Sequence, residues 1–451
     1  MQKLTACGSH DIVVFNATNI RKTIRVTEPS PPAKSNSVWS VAALAVVAAF
    51  GTYFCMYAFR KPFAVAKYTD CEPLWGVSFK TVLVVAQVLG YMVSKFVGIR
   101  TVAEVLPSRR VRTLLTQIGF AEVSLLLFAL TPPPFNAIWL FSNGFFLGMI
   151  FGLVMGFLEG RRNTEALLAA LCASFILADG VVKSVGSWLM EDCHVPQMWM
   201  PFAAGLLFVP PLLFFCAILR RVPPPDAADI AARTERTPMT AADRRRFLKR
   251  YGFGLVLIVF VFLLVTILRS VRADFAREIW EGLGVDTQAD PSLFTRSELL
   301  VAAIILPLYS SISLIRNNRT AFFTGLGLAF LGFVLSVLVV QAWQQGSIAA
   351  FPFMVLLGLG LYSPYIAVHT TIFERFIALT RDRGTIGYLM YLADSFAYLG
   401  YVAVLLSREI VQYKPSEGIL PFFLMLCTSL GIVAALMLIP AALYFRKIRS
   451  V

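Results

Sequence analysis

Ten ionisable side chains stand within or at the ends of long apolar runs: Arg60, Lys61, Lys95, Asp179, Lys183, Arg269, Arg272, Asp274, Glu298 and Asp394. A charge at mid-bilayer costs from ~3 kcal/mol on insertion scales to far more, so such residues pair, reach an interface or line a polar cavity. Arg60 lies in YFCMYAFRKPFAVAKY (53–68), with Lys61 beside it and Pro62 after, and Arg269 sits near the end of a later run. Two guanidiniums at similar depth suit the chelation of a phosphate or carboxylate in fork geometry. The competing reading is a helix end whose cations snorkel to the headgroups. Among the carboxylates, Asp179 and Lys183 are spaced i,i+4 and can neutralise each other on one helix face. Asp394 has no charged neighbour in its own run. It is the better candidate for a proton-titrating group, because desolvation shifts a carboxylate's affinity for protons.

These residues must be held by membrane helices. The chain has 451 residues, 58% hydrophobic and 15% charged, with a mean hydropathy of +0.73, which excludes a soluble domain. Apolar runs long enough to cross a bilayer recur, and helical spans satisfy their backbone internally. Twelve spans are expected, at about 38–62, 78–99, 111–131, 135–158, 164–189, 198–219, 251–273, 297–315, 320–341, 348–372, 384–407 and 418–445. The formal charge of +14 is distributed as an orientation signal, not as a nucleic-acid face: 28 of the 40 Lys and Arg fall in one alternate set of connections and the two tails. Both termini are therefore expected to be cytoplasmic.

A polar tail, 1–36, is expected to be disordered, and no cleavable signal peptide is visible. Residues 37–219 form a first half of six spans, 220–250 a Pro-, Ala- and charge-rich cytoplasmic linker, 251–446 a second half of six, and 447–451 a short cytoplasmic tail. The halves echo each other. Glu159 ends the fourth span with Leu177-Ala178-Asp179 inside the fifth, and Glu374 ends the tenth with Leu392-Ala393-Asp394 inside the eleventh, both at a Glu-to-Asp spacing of 20. Parallel six-helix repeats with a site between them are a transporter architecture. Gly144, Gly148, Gly152, Gly156 and Gly160 line one face of the fourth span and predict close helix packing.

The depth of the arginines has two readings. Arg60 and Arg269 lie 21 and 18 residues beyond Trp39 and Tyr251, the inner ends of their runs. Taken literally, that is roughly 27–32 Å along the axis, near the outer face. Long or tilted helices would bring them toward the middle.

YAFRKPFAVA (57–66) and GYMVSKFVG (90–98) resemble the organophosphate:phosphate antiporter branch of the major facilitator superfamily, which includes the bacterial glycerol-3-phosphate and hexose-phosphate transporters. There the first helix carries Arg-Lys before Asn-Phe-Ala, and the second a Gly-Tyr/Phe-x-x-Ser-Lys-Phe stretch. LRSVRAD (268–274) resembles the branch's Leu-Arg followed five residues later by Asp. The resemblance implies that Arg60 and Arg269 grip the phosphate with Tyr57 beside them, and that Lys61, Lys95 and Asp274 form a rearranging ion-pair network. Pro62 departs from the usual Asn, Arg272 is an extra cation, and Asp179 and Lys183 stand where the fifth span would hold a histidine. Glu298 is similar to a family glutamate, in surroundings that align poorly. The superfamily's Gly-x-x-x-Asp-Arg-x-Gly-Arg-Arg loop is degenerate, as GIRTVAEVLPSRRVR.

The expected protein is an all-α multi-pass membrane protein of the major facilitator fold, in the cytoplasmic membrane if bacterial. It carries a small, organophosphate-like anion by alternating access, Arg60, Arg269, Lys61, Lys95 and Tyr57 binding it. Asp274, Asp179, Lys183, Glu298, Asp394, Glu159 and Glu374 are the gating or coupling set. The alternatives are a proton-coupled symporter using Asp394 or Asp179, and a non-transporting sensor or assembly subunit. Neither nucleophile–base constellation, P-loop nor metal spacing is found, so no enzyme, metal or cofactor is expected. The partners are the bilayer and the solute, with no nucleic acid, in a monomer. Seven scattered cysteines show no CxxC, and Cys71 and Cys193, both in outer connections, leave a disulfide open.

Overall fold

Long apolar runs punctuated by Pro, Gly and charge wind into helices throughout. The computed structural model describes residues 35–158, 161, 164–223, 241–380, 386–410 and 418–447, and the packing below is that of Ala43–Val451. In order come α1 (Ser35–Met56), α2 (Phe79–Glu104), α3 (Arg110–Leu130), α4 (Ala137–Leu147) with its continuation α5 (Ile150–Leu158), α6 (Thr164–Glu191) and α7 (Met200–Arg220). The second half holds α8 (Ala241–Asp274), the short α9 (Ala276–Gly282), α10 (Leu293–Ile312), α11 (Asn318–Gln344), α12 (Ala350–Ile366), α13 (Phe373–Thr380), α14 (Ile386–Ile410) and α15 (Leu420–Lys447). Among the described residues, eleven helices are long and apolar enough to cross a membrane, and the apolar segment Ala43–Phe59, from within α1 through the turn that follows it, is shorter. Residues 241–250, expected in the linker, are the first turns of α8; the tail 1–34, the linker core 224–240 and Glu159 lie outside the described residues.

Burial sorts the helices. The apolar windows of α6 and of α12 through α13 are 83% and 78% buried, whereas those of α3 and α7 are 33% and 28% buried. α6 and α12 are central, and α3 and α7 present apolar side chains such as Phe120 and Phe214 outward. The two halves meet along α6 against α10 and α2 against α14.

The glycine face works as expected on its N-terminal portion. A Cβ on Gly144 would collide with the Gln87 carbonyl of α2, one on Gly148 with Ser94, and one on Gly90 with the Phe141 carbonyl of α4. Glycines on both helices let the backbones touch, the small-residue packing of membrane interfaces. Gly156 faces the Arg110 guanidinium instead, and Gly160 lies outside the described residues. In the second half, Pro364 withholds an N–H from the helix ladder just before a π-helical stretch, Ala367–Ile372, joins α12 to α13.

Candidate functional site

The site begins where α1 stops. After Met56 the chain makes a 3-10 turn, Tyr57–Phe59, passes Arg60 and Lys61, and makes a second 3-10 turn, Pro62–Val65. Pro62 suits the first position of that turn because its missing N–H has no partner to lose there. The helix end exposes carbonyls, and amides from neighbouring helices satisfy them. Gln87 Nε2 donates to the Arg60 carbonyl and to Asn143 Oδ1, each at 2.9 Å, while Asn143 Nδ2 donates to the Phe59 carbonyl at 2.9 Å and the Ala121 carbonyl at 3.1 Å.

So held, Arg60 is buried, 5% exposed, and does not snorkel. Its guanidinium lies 4.0 Å from the ring centroid of Tyr91, midway along α2, and 5.8 Å from that of Tyr57. Arg269 on α8 is 6% exposed and lies 4.4 Å from the ring centroid of Tyr365, near the middle of the Ala350–Thr380 span. Both guanidiniums act electrostatically on Tyr57 from one half and Tyr398 from the other. Neither arginine pairs with an acid among the described residues, and the Nε of each is buried without a hydrogen-bond partner. Stacking on an aromatic face offsets only part of a buried charge's desolvation.

Every other buried cation near the junction of the halves has its acid. Lys61 pairs with Asp274, whose second oxygen accepts from Tyr401 Oη at 2.9 Å. Arg272 bonds Glu298 Oε1 at 2.6 Å and the Met354 carbonyl at 3.0 Å. Asp179 and Lys183 form their i,i+4 pair at 2.5 Å, and Gly180 between them packs on the Phe294 carbonyl and Glu298, so this pair and Arg272–Glu298 adjoin across α6 and α10. Lys80 pairs with Glu278, and Arg277 reaches Glu191 at 2.9 Å, Glu281 at 3.2 Å and the Val65 carbonyl at 3.3 Å.

Lys95 departs from the expected network. It pairs with Asp394 of α14 at 2.9 Å rather than joining Lys61 and Asp274, because the α2–α14 contact brings these two buried residues together across the halves. The rings of Tyr391, Tyr91 and Phe151 surround its ammonium at 5.0, 5.1 and 5.6 Å. Asp394 thus has a cation, supplied from outside its own helix. Glu374 opens α13 at a half-buried position with a partner of its own. Cys71 and Cys193 are both free thiols, so the disulfide left open is not formed.

Tyr57 was named from the sequence, but four features escaped it: Tyr91 and Tyr365 under the arginines, His369, the bridges Lys80–Glu278 and Arg277–Glu191, and Glu122. Glu122, midway along α3, wedges against Gly205 of α7 with both carboxylate oxygens buried and unpartnered. It could have been found as an acid inside an apolar run. The tyrosines could not, since aromatic residues abound in every span.

Comparison with known proteins gives this arrangement a context. Residues 62–448 match the profile of a "Family of unknown function (DUF5690)". The chain belongs to that family. No curated protein matches it. Solved structures do. The human organic anion transporter MFSD10 (TETRAN) is 15% identical with a TM-score of 0.54, covering 92% of this chain and 99% of its own. The D-xylose-proton symporter is 13% identical with a TM-score of 0.62, covering 89% of this chain and 97% of its own. This member of the DUF5690 family is therefore an integral multi-pass membrane protein with the fold of major facilitator transporters.

Proposed function

We propose that the chain is a secondary active transporter that moves a small organic dianion, of the organophosphate kind, by alternating access of two six-helix halves. Twelve spans, cytoplasmic termini and a monomer complete the proposal. One observation carries it: among the described residues, Arg60 and Arg269, one from each half, are buried on tyrosines without acids, while the cations around them are paired. A buried unpaired ion costs several kcal/mol. Two of them leave a local charge of about +2, which a phosphate monoester near neutral pH matches. Fork geometry lets each guanidinium offer two parallel N–H donors to such an anion. With the site empty, rocking the halves together would appose two like charges, so an occupied carrier reorients more readily and exchange is the favoured mode. The structural likeness to a protein described as an organic anion transporter is in keeping with this reading.

The test is a thermal-shift screen of the purified protein against phosphate, sugar phosphates, carboxylates and peptides, repeated with Arg60→Ala and Arg269→Ala. Phosphorylated ligands should stabilise the wild type and lose that effect in both variants. If none stabilises the wild type, the phosphate-ester reading is sunk; stabilisation that survives both substitutions removes the clamp. Exchange of labelled phosphate in proteoliposomes then separates a carrier from a sensor, which would bind without flux.

A further inference from the structure

His369 lies on the π-helical stretch Ala367–Ile372, a device common at functional sites. Its ring stacks on Tyr365 with centroids 4.5 Å apart, the same tyrosine whose centroid lies 4.4 Å from the Arg269 guanidinium. Nδ1 of His369 is 3.2 Å from the Tyr365 carbonyl oxygen. A carbonyl oxygen only accepts, so Nδ1 carries the hydrogen, and Nε2 of the neutral ring bears a lone pair. That lone pair faces Asp394 Oδ1 at 3.7 Å. Oδ1 is buried without a hydrogen-bond partner, while Lys95 holds Oδ2. Two acceptors therefore confront each other in a dry place, with His369 3% and Asp394 4% exposed. A polar atom buried without a partner is costly, and one hydrogen between the two would satisfy both.

We infer that His369 and Asp394 form a proton-binding site beside the anion site. A hydronium ion gives up a proton, its O–H bond breaking to leave water; the proton bonds to Nε2, and the imidazolium donates to Asp394 Oδ1. The charged groups acting on His369 are Asp394 of α14, Lys95 of α2 and Arg269 of α8. Around them stand the hydroxyls of Tyr365, Tyr91, Tyr391 and Tyr398 and, from α6, the thiol of Cys172. Glu374 is the next acid along the same helix. Protonation thus adds a cation to a neighbourhood already holding Lys95 and Arg269 against one carboxylate. An anion seated on Arg269 counters that charge. By linkage, the proton must then tighten the anion by the factor with which the anion tightens the proton. This linkage rests on the clamp proposed above; the proton site itself does not. The carrier accordingly loads a proton together with its anion.

The chain contains three histidines, His10, His194 and His369, so selective 15N-histidine labelling gives a readable spectrum, with His369→Gln assigning the signal. In alkaline buffer the wild type should show the Nδ1–H tautomer at His369. Asp394→Asn should cut its proton affinity by roughly tenfold or more. Millimolar inorganic phosphate should raise the imidazolium fraction at fixed pH. An Nε2–H tautomer in the wild type, a result that needs no folded variant, overturns the site, as does a titration unmoved by Asp394→Asn. If phosphate changes nothing while Asp394→Asn does, the proton site stands and the anion clamp falls.

Discussion

Arg60 and Lys61 are adjacent in sequence, equally buried, and treated in opposite ways by the fold. Lys61 meets Asp274 from the other half, and Tyr401 completes the carboxylate's bonding. Among the described residues, Arg60's guanidinium meets the faces of Tyr91 and Tyr57 and no acid. The first arrangement is closed; the second is open and, under the proposed function, is where an anion would bind. The difference teaches that a buried cation is not by itself a site. What marks one is the acid withheld from it, in a region where the neighbouring cations receive theirs.

The sharpest way to break that contrast is to remove an open cation. Arg60→Ala or Arg269→Ala should abolish phosphate exchange in proteoliposomes, a loss of about a hundredfold or more, since each removes a charge-assisted pair of bonds. Arg→Lys at either position keeps the charge and loses the fork, so intermediate exchange is expected. Next comes the closed pair. Asp274→Asn strands Lys61 as an unpaired buried charge and should lower stability by about 3–5 kcal/mol, read as a fall in Tm. Replacing both, Lys61→Met with Asp274→Leu, should recover most of it. If Asp274→Asn cost nothing, the distinction between open and closed cations would fail.

A smaller effect is expected where the halves' own packing is disturbed. Gly144→Val pushes α4 off the α2 backbone and should cost about 1–3 kcal/mol in thermal unfolding while leaving the ligand preference unchanged. The smallest belongs to the half-exposed bridge between Glu281 and Lys67, at 2.6 Å. Burial pushes the Glu281 carboxyl up, but hydrogen bonds from Lys67 and Arg277 outweigh it and hold it below its ordinary 4.5. The folded value is the lower one, so this contribution is present above about pH 4.5 and is lost as pH falls through the depressed value. With solvent screening it amounts to about 0.5 kcal/mol, and Glu281→Gln should flatten the acid limb of the stability profile by no more than that.

The helical architecture was legible because its determinants are local: run length, breakers, and Lys and Arg between runs. Arg60 and Arg269 were legible for the same reason, as cations in apolar stretches. Their state was not. Whether a cation is open or closed depends on partners such as Asp274, 213 residues from Lys61, and no periodicity reports a contact across halves. Lys95 shows this best. The resemblance assigned it to Lys61 and Asp274, and the α2–α14 contact gave it to Asp394. Asp179 and Asp394 stand at matching places in the repeat, yet one is neutralised within its helix and the other across the halves. His369 was passed over because it has no metal spacing. Its interest lies in a lone pair facing a carboxylate, which only the fold brings about.

The amides that cap the end of α1 carry one more consequence. Gln87 and Asn143 tie the Arg60 backbone to α2 and α4, so that arginine travels with the first half as a fixed fitting. Arg269 rides an uninterrupted helix of the second half. Under the proposed clamp, the gap between the two guanidiniums would gauge the angle between the halves, and an anion held by both would set that angle by its own width. A compact phosphate would draw the halves into one posture. A bulkier ester, spanning a wider gap, would hold them in another and act as a wedge, inhibiting by its size rather than by weak binding.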